Sequence, residues 1–225
     1  MSHMPEPLDL TVKQFWPTNF YQRTWPEHAA EAPAIIEYLY GLRAKATAAI
    51  ASGVAPAAKS GHGLFESGFD LFAGSHPGLN RLKAFIGQSV QMAAAHANGA
   101  GVDHRRLRVT VVDSWFHITN DGGFHDAHYH GGCSWCGIYY LQAGESGKTP
   151  AGGAPNGGNR FYSPFPTGGA YKDFGNSYLD FSYVDPPVRD GLLILFPSFL
   201  LHSALPYRGE KDRIVISFNS QVSLA

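Results

Sequence analysis

The period of the hydrophobic pattern changes about halfway along the chain. In residues 27–52, which are rich in alanine, apolar side chains recur at helical spacing from Ile35 to Leu42. A second pattern of this kind covers residues 78–97. Apolar residues three and four positions apart form one face of a helix, so both segments are predicted to be helices. A short strand is expected around residues 8–15.

The second half of the chain alternates apolar and polar residues and is rich in β-branched side chains, which is typical of strands. The predicted strands cover residues 106–118, 138–142, 178–184, 191–196 and 213–222. Two glycine-rich stretches, residues 56–77 and 143–177, show little hydrophobic pattern and are predicted to be irregular, the second as a long loop. Two helices followed by about seven strands predict helices packed on one side of a β-sandwich or barrel.

Length and charge narrow the class of protein. The 225 residues contain no internal repeat and no linker, so we expect one domain, with residues 1–104 as mostly helical support and residues 105–225 as the β-barrel core. The net charge of −1, without an acidic or basic block, argues against nucleic acid or a membrane surface as the main partner. No signal-peptide pattern and no apolar run of membrane-spanning length are present, so a cytoplasmic location is expected.

The most unusual segment is residues 124–130, which hold three histidines and one aspartate. In an extended segment side chains alternate between faces, so Asp126, His128 and His130 are expected on one face and His125 on the other. Neutral imidazoles are suitable ligands for iron, copper, nickel or zinc. The segment therefore predicts a metal site, and the alternative is a histidine-rich surface strand.

A second group of polar residues lies near the C-terminus. His202 follows an apolar strand, and Arg213 opens a strand on which Arg213, Ser217 and Asn219 share one face. The other face of that strand is apolar and is expected to pack against the helices or a second sheet. An arginine facing inward needs an anionic partner, because an unpaired buried charge is unfavourable. A bound carboxylate would satisfy it.

The two cysteines, Cys133 and Cys136, have the spacing C-x-x-C. Residues three apart on a strand lie on opposite faces, so we expect two reduced, partly buried thiols. The rival interpretation is a zinc site made by these cysteines with His128 and His130.

Together these stretches resemble the iron(II)/2-oxoglutarate-dependent oxygenases, and more narrowly a family of bacterial 2OG-Fe(II) oxygenases. The resemblance rests on Ser114-Trp115, on the His-x-x-His-x-His of residues 125–130, on residues 136–141, on residues 191–202 and on residues 213–219. It implies a double-stranded β-helix (jelly-roll) barrel, Fe(II) and 2-oxoglutarate as cofactors, and O2 and a small molecule as substrates. The implied reaction is hydroxylation of an unactivated C–H bond, with succinate and CO2 as co-products; a homodimer is compatible with it.

The resemblance also implies roles for individual residues. His128, His130 and His202 would hold the metal, while Asp126 is the alternative to His130 as third ligand. Arg213 would bind the far carboxylate of 2-oxoglutarate with help from Ser217 and from a tyrosine, Tyr139 or Tyr140. The secondary candidates near the pocket are His125, Asn219, Trp115 and His117, the last of which replaces an asparagine of the family pattern.

Two other functions remain open at this point. A three-histidine dioxygenase that does not use 2-oxoglutarate would bind the carboxylate of its own substrate through Arg213. A non-enzymatic zinc-binding barrel would depend on the two cysteines instead.

Overall fold

A computed structural model of the protein describes residues 18–52, 59–61, 63–99, 101–147, 154–164 and 182–225. Within these ranges the helices are α1 (His28–Ala51) and α2 (Pro77–Ala97). The strands are β1 (Tyr21–Thr24), β2 (Lys59–Gly61), β3 (Leu64–Glu66), β4 (Leu107–Thr119), β5 (Gly123–His128), β6 (Trp135–Gln142), β7 (Asn159–Tyr162), β8 (Tyr183–Val184), β9 (Leu192–Pro197), β10 (His202–Tyr207) and β11 (Arg213–Leu224).

Both predicted helices are confirmed, and each begins within one residue of its predicted start. Helix α2 begins with Pro77, whose fixed φ suits the first turn of a helix. The His76 side chain accepts a hydrogen bond from the Leu79 amide at 3.3 Å and so caps this end. Neither helix of the described chain has the length and apolar content that a membrane crossing requires. The strand expected at residues 8–15 lies outside the described residues.

The strands form two antiparallel sheets. The larger has the order β1-β9-β6-β11-β4-β3-β2, and the smaller has the order β5-β10-β7-β8. From β4 to β11 the chain passes repeatedly between the two sheets, as expected for a jelly roll. The prediction of a mainly β protein with helical support is therefore confirmed.

The seven-stranded sheet separates two hydrophobic cores. Its outer face packs against both helices, where Ile35 and Leu39 of α1 join Leu82 and Ile86 of α2. Its inner face packs against the smaller sheet through residues that include Ile138 and Phe196. Because side chains alternate along a strand, one sheet supports both layers.

Strand β11 follows the alternation that the sequence predicts. Ile214, Ile216 and Phe218 belong to the core beneath the helices. Arg213 and Ser217 point to the other side, between the sheets. The strand is central, since it pairs with β4 on one side and β6 on the other.

Several strands occur where irregular chain was predicted. β7 interrupts the supposed loop of residues 143–177, and β2 and β3 lie in the glycine-rich stretch of residues 56–77. The predicted strand of residues 178–184 is described only as the short β8. Strands this short contain too few residues for a clear hydrophobic pattern. The described part of the first 104 residues thus contributes three strands to the larger sheet as well as the two helices.

Candidate active site

A cavity of about 430 Å³ lies between the two sheets. Its volume is in the usual range for small-molecule sites. Its polar lining comes from both sheets: Glu66, Asp113, His117, Cys136, Arg213, Ser217 and Asn219 from the larger, His125, Asn159 and His202 from the smaller, with His128 and His130 at the end of β5.

Three histidines converge at one side of this cavity. His128 ends β5, and its cross-strand partner is His202, the first residue of β10. His130 follows two residues later, and its Nε2 atom lies 3.4 Å from the Nε2 atom of His202. One ligand atom from each ring lies within 4.8 Å of the other two, so the three imidazoles can share one metal ion.

Hydrogen bonds orient two of these rings toward a common point. The Nδ1 atom of His128 lies 2.7 Å from the Asp126 carbonyl oxygen, and Nδ1 of His202 lies 3.0 Å from the Leu200 carbonyl oxygen. A carbonyl only accepts, so each Nδ1 carries the proton and each Nε2 keeps its lone pair. Such a carbonyl partner is the usual way of fixing the tautomer of a metal-binding histidine.

Burial keeps the three imidazoles neutral. It lowers the pKa of His202 to about 3 and that of His130 to about 4, with repulsion from neighbouring histidines adding to the effect. Burial also lowers the pKa of His128. Because a metal competes with protons for imidazole nitrogen, a neutral cluster suits metal binding near neutral pH.

The faces predicted for residues 124–130 are partly wrong. His125 lines the cavity with His128 and His130, while the Asp126 side chain is exposed. The register explains the difference, because β10 residues His202 and Ala204, two apart, pair with β5 residues His128 and His125, three apart. The extra residue is a β-bulge, which interrupts the alternation of side chains. Asp126 therefore contributes its carbonyl oxygen to the site, and its carboxylate is not part of the cluster.

Arg213 occupies another part of the cavity wall and is almost completely buried, with 1% of its surface exposed. Its Nη2 donates to Asn159 Oδ1 at 2.6 Å, and the same oxygen accepts from the Tyr140 hydroxyl at 2.6 Å. Its Nε has no hydrogen-bond partner. No carboxylate of the described residues lies within ion-pair distance. The guanidinium thus has a free donor and an uncompensated charge in a cavity, which fits a bound carboxylate.

The two adjacent tyrosines point to opposite sides of β6. Tyr139 lies in the core beneath the helices, and its hydroxyl is 2.7 Å from Nδ1 of His28. Tyr140 lies between the sheets beside Arg213. The placement of Tyr139 corrects its predicted role, because the body of the larger sheet separates it from the cavity.

The remaining predicted residues of β4 and β11 all reach the cavity. Ser217, Asn219, Trp115 and His117 line it. Asn219 donates from Nδ2 to Asp113 at 3.0 Å and lies close to the Cys136 thiol. Trp115 lies near His130, with ring centroids 5.8 Å apart.

The polar lining also includes Glu66, Asp113 and Asn159, which the sequence did not assign to the site. Glu66 on β3 contacts His117, and Asn159 on β7 contacts Arg213. Both belong to short strands in glycine-rich stretches. The alternation in Asn159-Arg-Phe-Tyr162, with the first and third residues buried, is the one signal that could have indicated β7.

The cysteines are closer together than predicted. Cys133 precedes β6 instead of lying on it, so its thiol approaches that of Cys136, with the sulfur atoms 3.6 Å apart. Both are free thiols, and burial raises the pKa of Cys136. Among the described residues, the groups that could hold a metal consist of histidines and one glutamate, and neither cysteine belongs to them. The predicted zinc site of the two cysteines with His128 and His130 is therefore not formed.

Comparison with known families agrees with this geometry. A family model described as "Putative 2OG-Fe(II) oxygenase" matches residues 113–219, which include all three histidines and Arg213. The matched segment makes up 107 of the 225 residues and carries the sequence pattern of the 2OG-Fe(II) oxygenases. Together with the three-histidine cluster and the buried Arg213, this match indicates a 2-oxoglutarate-dependent non-haem iron dioxygenase with Fe(II) and 2-oxoglutarate as cofactors. A search of curated proteins finds no match.

Solved structures of 2OG-Fe(II) oxygenases share the fold at low sequence identity. A prolyl-4-hydroxylase from Pseudomonas putida is 16% identical with a TM-score of 0.51, over 91% of this chain and 93% of that one. The α-ketoglutarate-dependent epimerase SnoN from nogalamycin biosynthesis is 15% identical with a TM-score of 0.53, over 92% and 79%. HygX from Streptomyces hygroscopicus, with nickel, 2-oxoglutarate and hygromycin B bound, is 16% identical with a TM-score of 0.52, over 91% and 83%. These similarities establish the jelly-roll fold.

Proposed function

We propose that the protein hydroxylates an unactivated C–H bond of a small molecule, with iron held by His128, His130 and His202. The observation that carries this proposal is the pairing of two features in one cavity. A cluster of neutral imidazoles provides the metal site, and a buried arginine without a carboxylate partner among the described residues provides the anchor for an acid. When bound, iron and 2-oxoglutarate supply the oxidising power for reaction with O2, with succinate and CO2 as co-products.

The role of the protein in this reaction is positioning. Arg213 would bind the far carboxylate of 2-oxoglutarate through its unpartnered Nε, while Asn159 holds the other side of the guanidinium at 2.6 Å. Ser217, which lines the same cavity from the same face of β11, would donate a further hydrogen bond. A carboxylate fixed at this end directs the rest of the cosubstrate toward the histidines.

The apolar part of the lining would exclude water from the reacting atoms. Trp115, Ile138, Phe196 and Val215 contribute apolar surface between the polar groups. In a site of low polarity the interaction of Arg213 with a carboxylate is stronger than in water. A volume of about 430 Å³ leaves room for a small substrate beside the cosubstrate.

An anaerobic titration of the Fe(II)-loaded protein with 2-oxoglutarate tests the proposal. We expect the visible charge-transfer absorption that marks 2-oxoglutarate bound to iron. Arg213→Met should lose this absorption at the same concentrations. It removes a buried charge that no described carboxylate balances and nearly preserves side-chain volume, so its melting temperature should not fall.

Arg105→Met is the matched control, because Arg105 is an exposed arginine that pairs only with Asp103 among the described residues. This control should retain the absorption. If iron binds to the wild-type protein but 2-oxoglutarate gives no absorption, the proposal is wrong, and a dioxygenase that binds its substrate directly becomes the better interpretation.

A further inference from the structure

A second group of metal-competent side chains lies beside the three histidines. Glu66 of β3, His117 of β4 and His125 of β5 each place one ligand atom within 4.8 Å of the other two. Oε2 of Glu66 is 2.9 Å from Nε2 of His117 and 3.6 Å from Nε2 of His125. Glu66 and His117 are direct cross-strand partners, and both are buried. The group brings together β3 and β4 of the larger sheet and β5, an edge strand of the smaller sheet.

The spacing within this group is similar to that of the first site. Nitrogen and oxygen ligands lie about 2.0–2.2 Å from an ion such as zinc, so two ligand atoms on one ion are roughly 3–3.5 Å apart. The Nε2 atoms of His130 and His202, at 3.4 Å, meet this criterion. The distances from Oε2 of Glu66 to Nε2 of His117 and of His125, 2.9 and 3.6 Å, each lie 0.1 Å outside this range.

The orientation of the His125 ring gives a second reason. Its Nδ1 faces the Asp126 carbonyl oxygen at 3.3 Å and therefore carries a proton. In the neutral ring, the Nε2 lone pair then points toward the carboxylate of Glu66. Nε2 of His125 and Oε2 of Glu66, 3.6 Å apart, are thus both oriented to bind one cation.

We propose that Glu66, His117 and His125 bind a second divalent transition-metal ion next to the three-histidine site. Two histidines and one carboxylate leave coordination positions open. These positions face the shared cavity, because all three residues line it. The second ion would thus bind an oxygen-donor group of a ligand that enters the cavity. This assignment does not depend on which reaction the three-histidine site supports.

The two proposed sites are coupled through strand β5. His125 belongs to one group and His128 to the other, and their ring centroids are 4.3 Å apart. The bulge between these two residues directs both rings into the cavity. Regular alternation would send one of them to the opposite face of the strand.

Metal stoichiometry tests the proposal without reference to activity. Metal-free protein is equilibrated with Co(II) by dialysis, and bound cobalt per chain is measured by mass spectrometry. We expect two ions for the wild type, one for Glu66→Gln, one for His117→Gln and one for His202→Gln. His104→Gln changes an exposed histidine outside the cavity and should retain two. Glu66→Gln preserves the side-chain shape, and circular dichroism checks that each variant is folded.

Two results would overturn the proposal. One cobalt ion in the wild type, unchanged in Glu66→Gln, would show that the group is a hydrogen-bonded ion pair with a proton in place of the metal. Two ions in the wild type and still two in both Glu66→Gln and His117→Gln would place the second ion elsewhere. Anomalous diffraction from cobalt-loaded wild-type crystals needs no variant, and a peak that contacts Glu66 is the expected result.

Discussion

His128 and His202 face each other across strands β5 and β10, with ring centroids 4.4 Å apart. Their position is set by the backbone register of two paired strands and not by a flexible loop. Metal ligands on regular elements are held more exactly than ligands on loops. The residues that support this pair therefore affect the site through the geometry of the strands.

Removal of one histidine of this pair should eliminate cosubstrate binding to iron. We expect His202→Ala to lose the 2-oxoglutarate charge-transfer absorption under anaerobic conditions, because two imidazoles hold the ion more weakly than three. His104→Ala, which changes an exposed histidine, should retain it. An unchanged absorption in His202→Ala would place the iron at another group of ligands.

Replacement by phenylalanine should affect cosubstrate affinity at Tyr140 and stability at Tyr139, the two adjacent tyrosines of β6. Tyr140→Phe removes a hydrogen bond to Asn159, which positions Arg213, so 2-oxoglutarate affinity should fall several-fold. Tyr139→Phe removes the bond to His28 and should lower the free energy of unfolding by about 1 kcal/mol without changing this affinity. Calorimetric titration and thermal denaturation separate the two effects. If both variants bind 2-oxoglutarate with equal affinity, the hydrogen bonds around Arg213 do not contribute to cosubstrate binding.

An acid placed beside Arg213 should compete with the cosubstrate. Asn159→Asp puts a carboxylate where an amide oxygen now accepts from the guanidinium at 2.6 Å. A hydrogen bond to a charged group contributes about 1.5–3 kcal/mol, so 2-oxoglutarate should bind at least about tenfold more weakly. Asn80→Asp, an exposed position on α2, is the control. Unaltered affinity in Asn159→Asp would mean that Arg213 does not bind the cosubstrate.

Gly137 lies in the centre of the larger sheet, where the side chains of the neighbouring strands pack directly against its backbone. A Cβ atom at this position would lie 2.3 Å from Phe218 Cζ and 3.0 Å from Leu195 Cδ2. Gly137→Ala is thus expected to destabilise the fold by about 1–3 kcal/mol. At Gly41 of α1 nothing lies within 4 Å of the added atom, so Gly41→Ala should stabilise by about 0.5–1 kcal/mol. Urea denaturation of both variants measures the contrast, and a neutral Gly137→Ala would contradict the close packing.

The cysteines should be dispensable for metal binding. The double change Cys133→Ser and Cys136→Ser is expected to leave Co(II) stoichiometry unchanged and affinity within about twofold, since a serine hydroxyl can replace the thiol that contacts Asn219. Complete loss of metal in the folded double variant would support the zinc-binding barrel instead. Equilibrium dialysis gives the answer.

Long periodic segments allowed much of the fold to be predicted from the sequence. Helices α1 and α2 each present repeated apolar positions, and β11 alternates over its buried part, so their extents and faces were predicted correctly. Arg213 was recognised as a site residue because a buried charge needs a partner. Its actual neighbours, Asn159 and Tyr140, depend on which strands meet in space, which no local pattern reports.

The errors within the site come from one register shift and from short elements. The bulge in β5 adds a residue that no sequence signal indicates. The prediction therefore puts Asp126 on the cavity face in place of His125. Glu66 is the last residue of a strand of three, too short to show alternation. Tyr139 was assigned to the cavity because neighbouring residues on a strand look equivalent until the inner face is known.

The helices cover only the outer face of the larger sheet, and this divides the chain into two parts that can evolve at different rates. Substitutions among α1, α2 and the outward side chains of β6 and β11 change how firmly the scaffold holds together. Changes on the inward side chains of the same strands alter what the cavity accepts. Directed evolution can therefore use a stabilised helical layer to tolerate disruptive changes in the cavity, one residue away along the same strand.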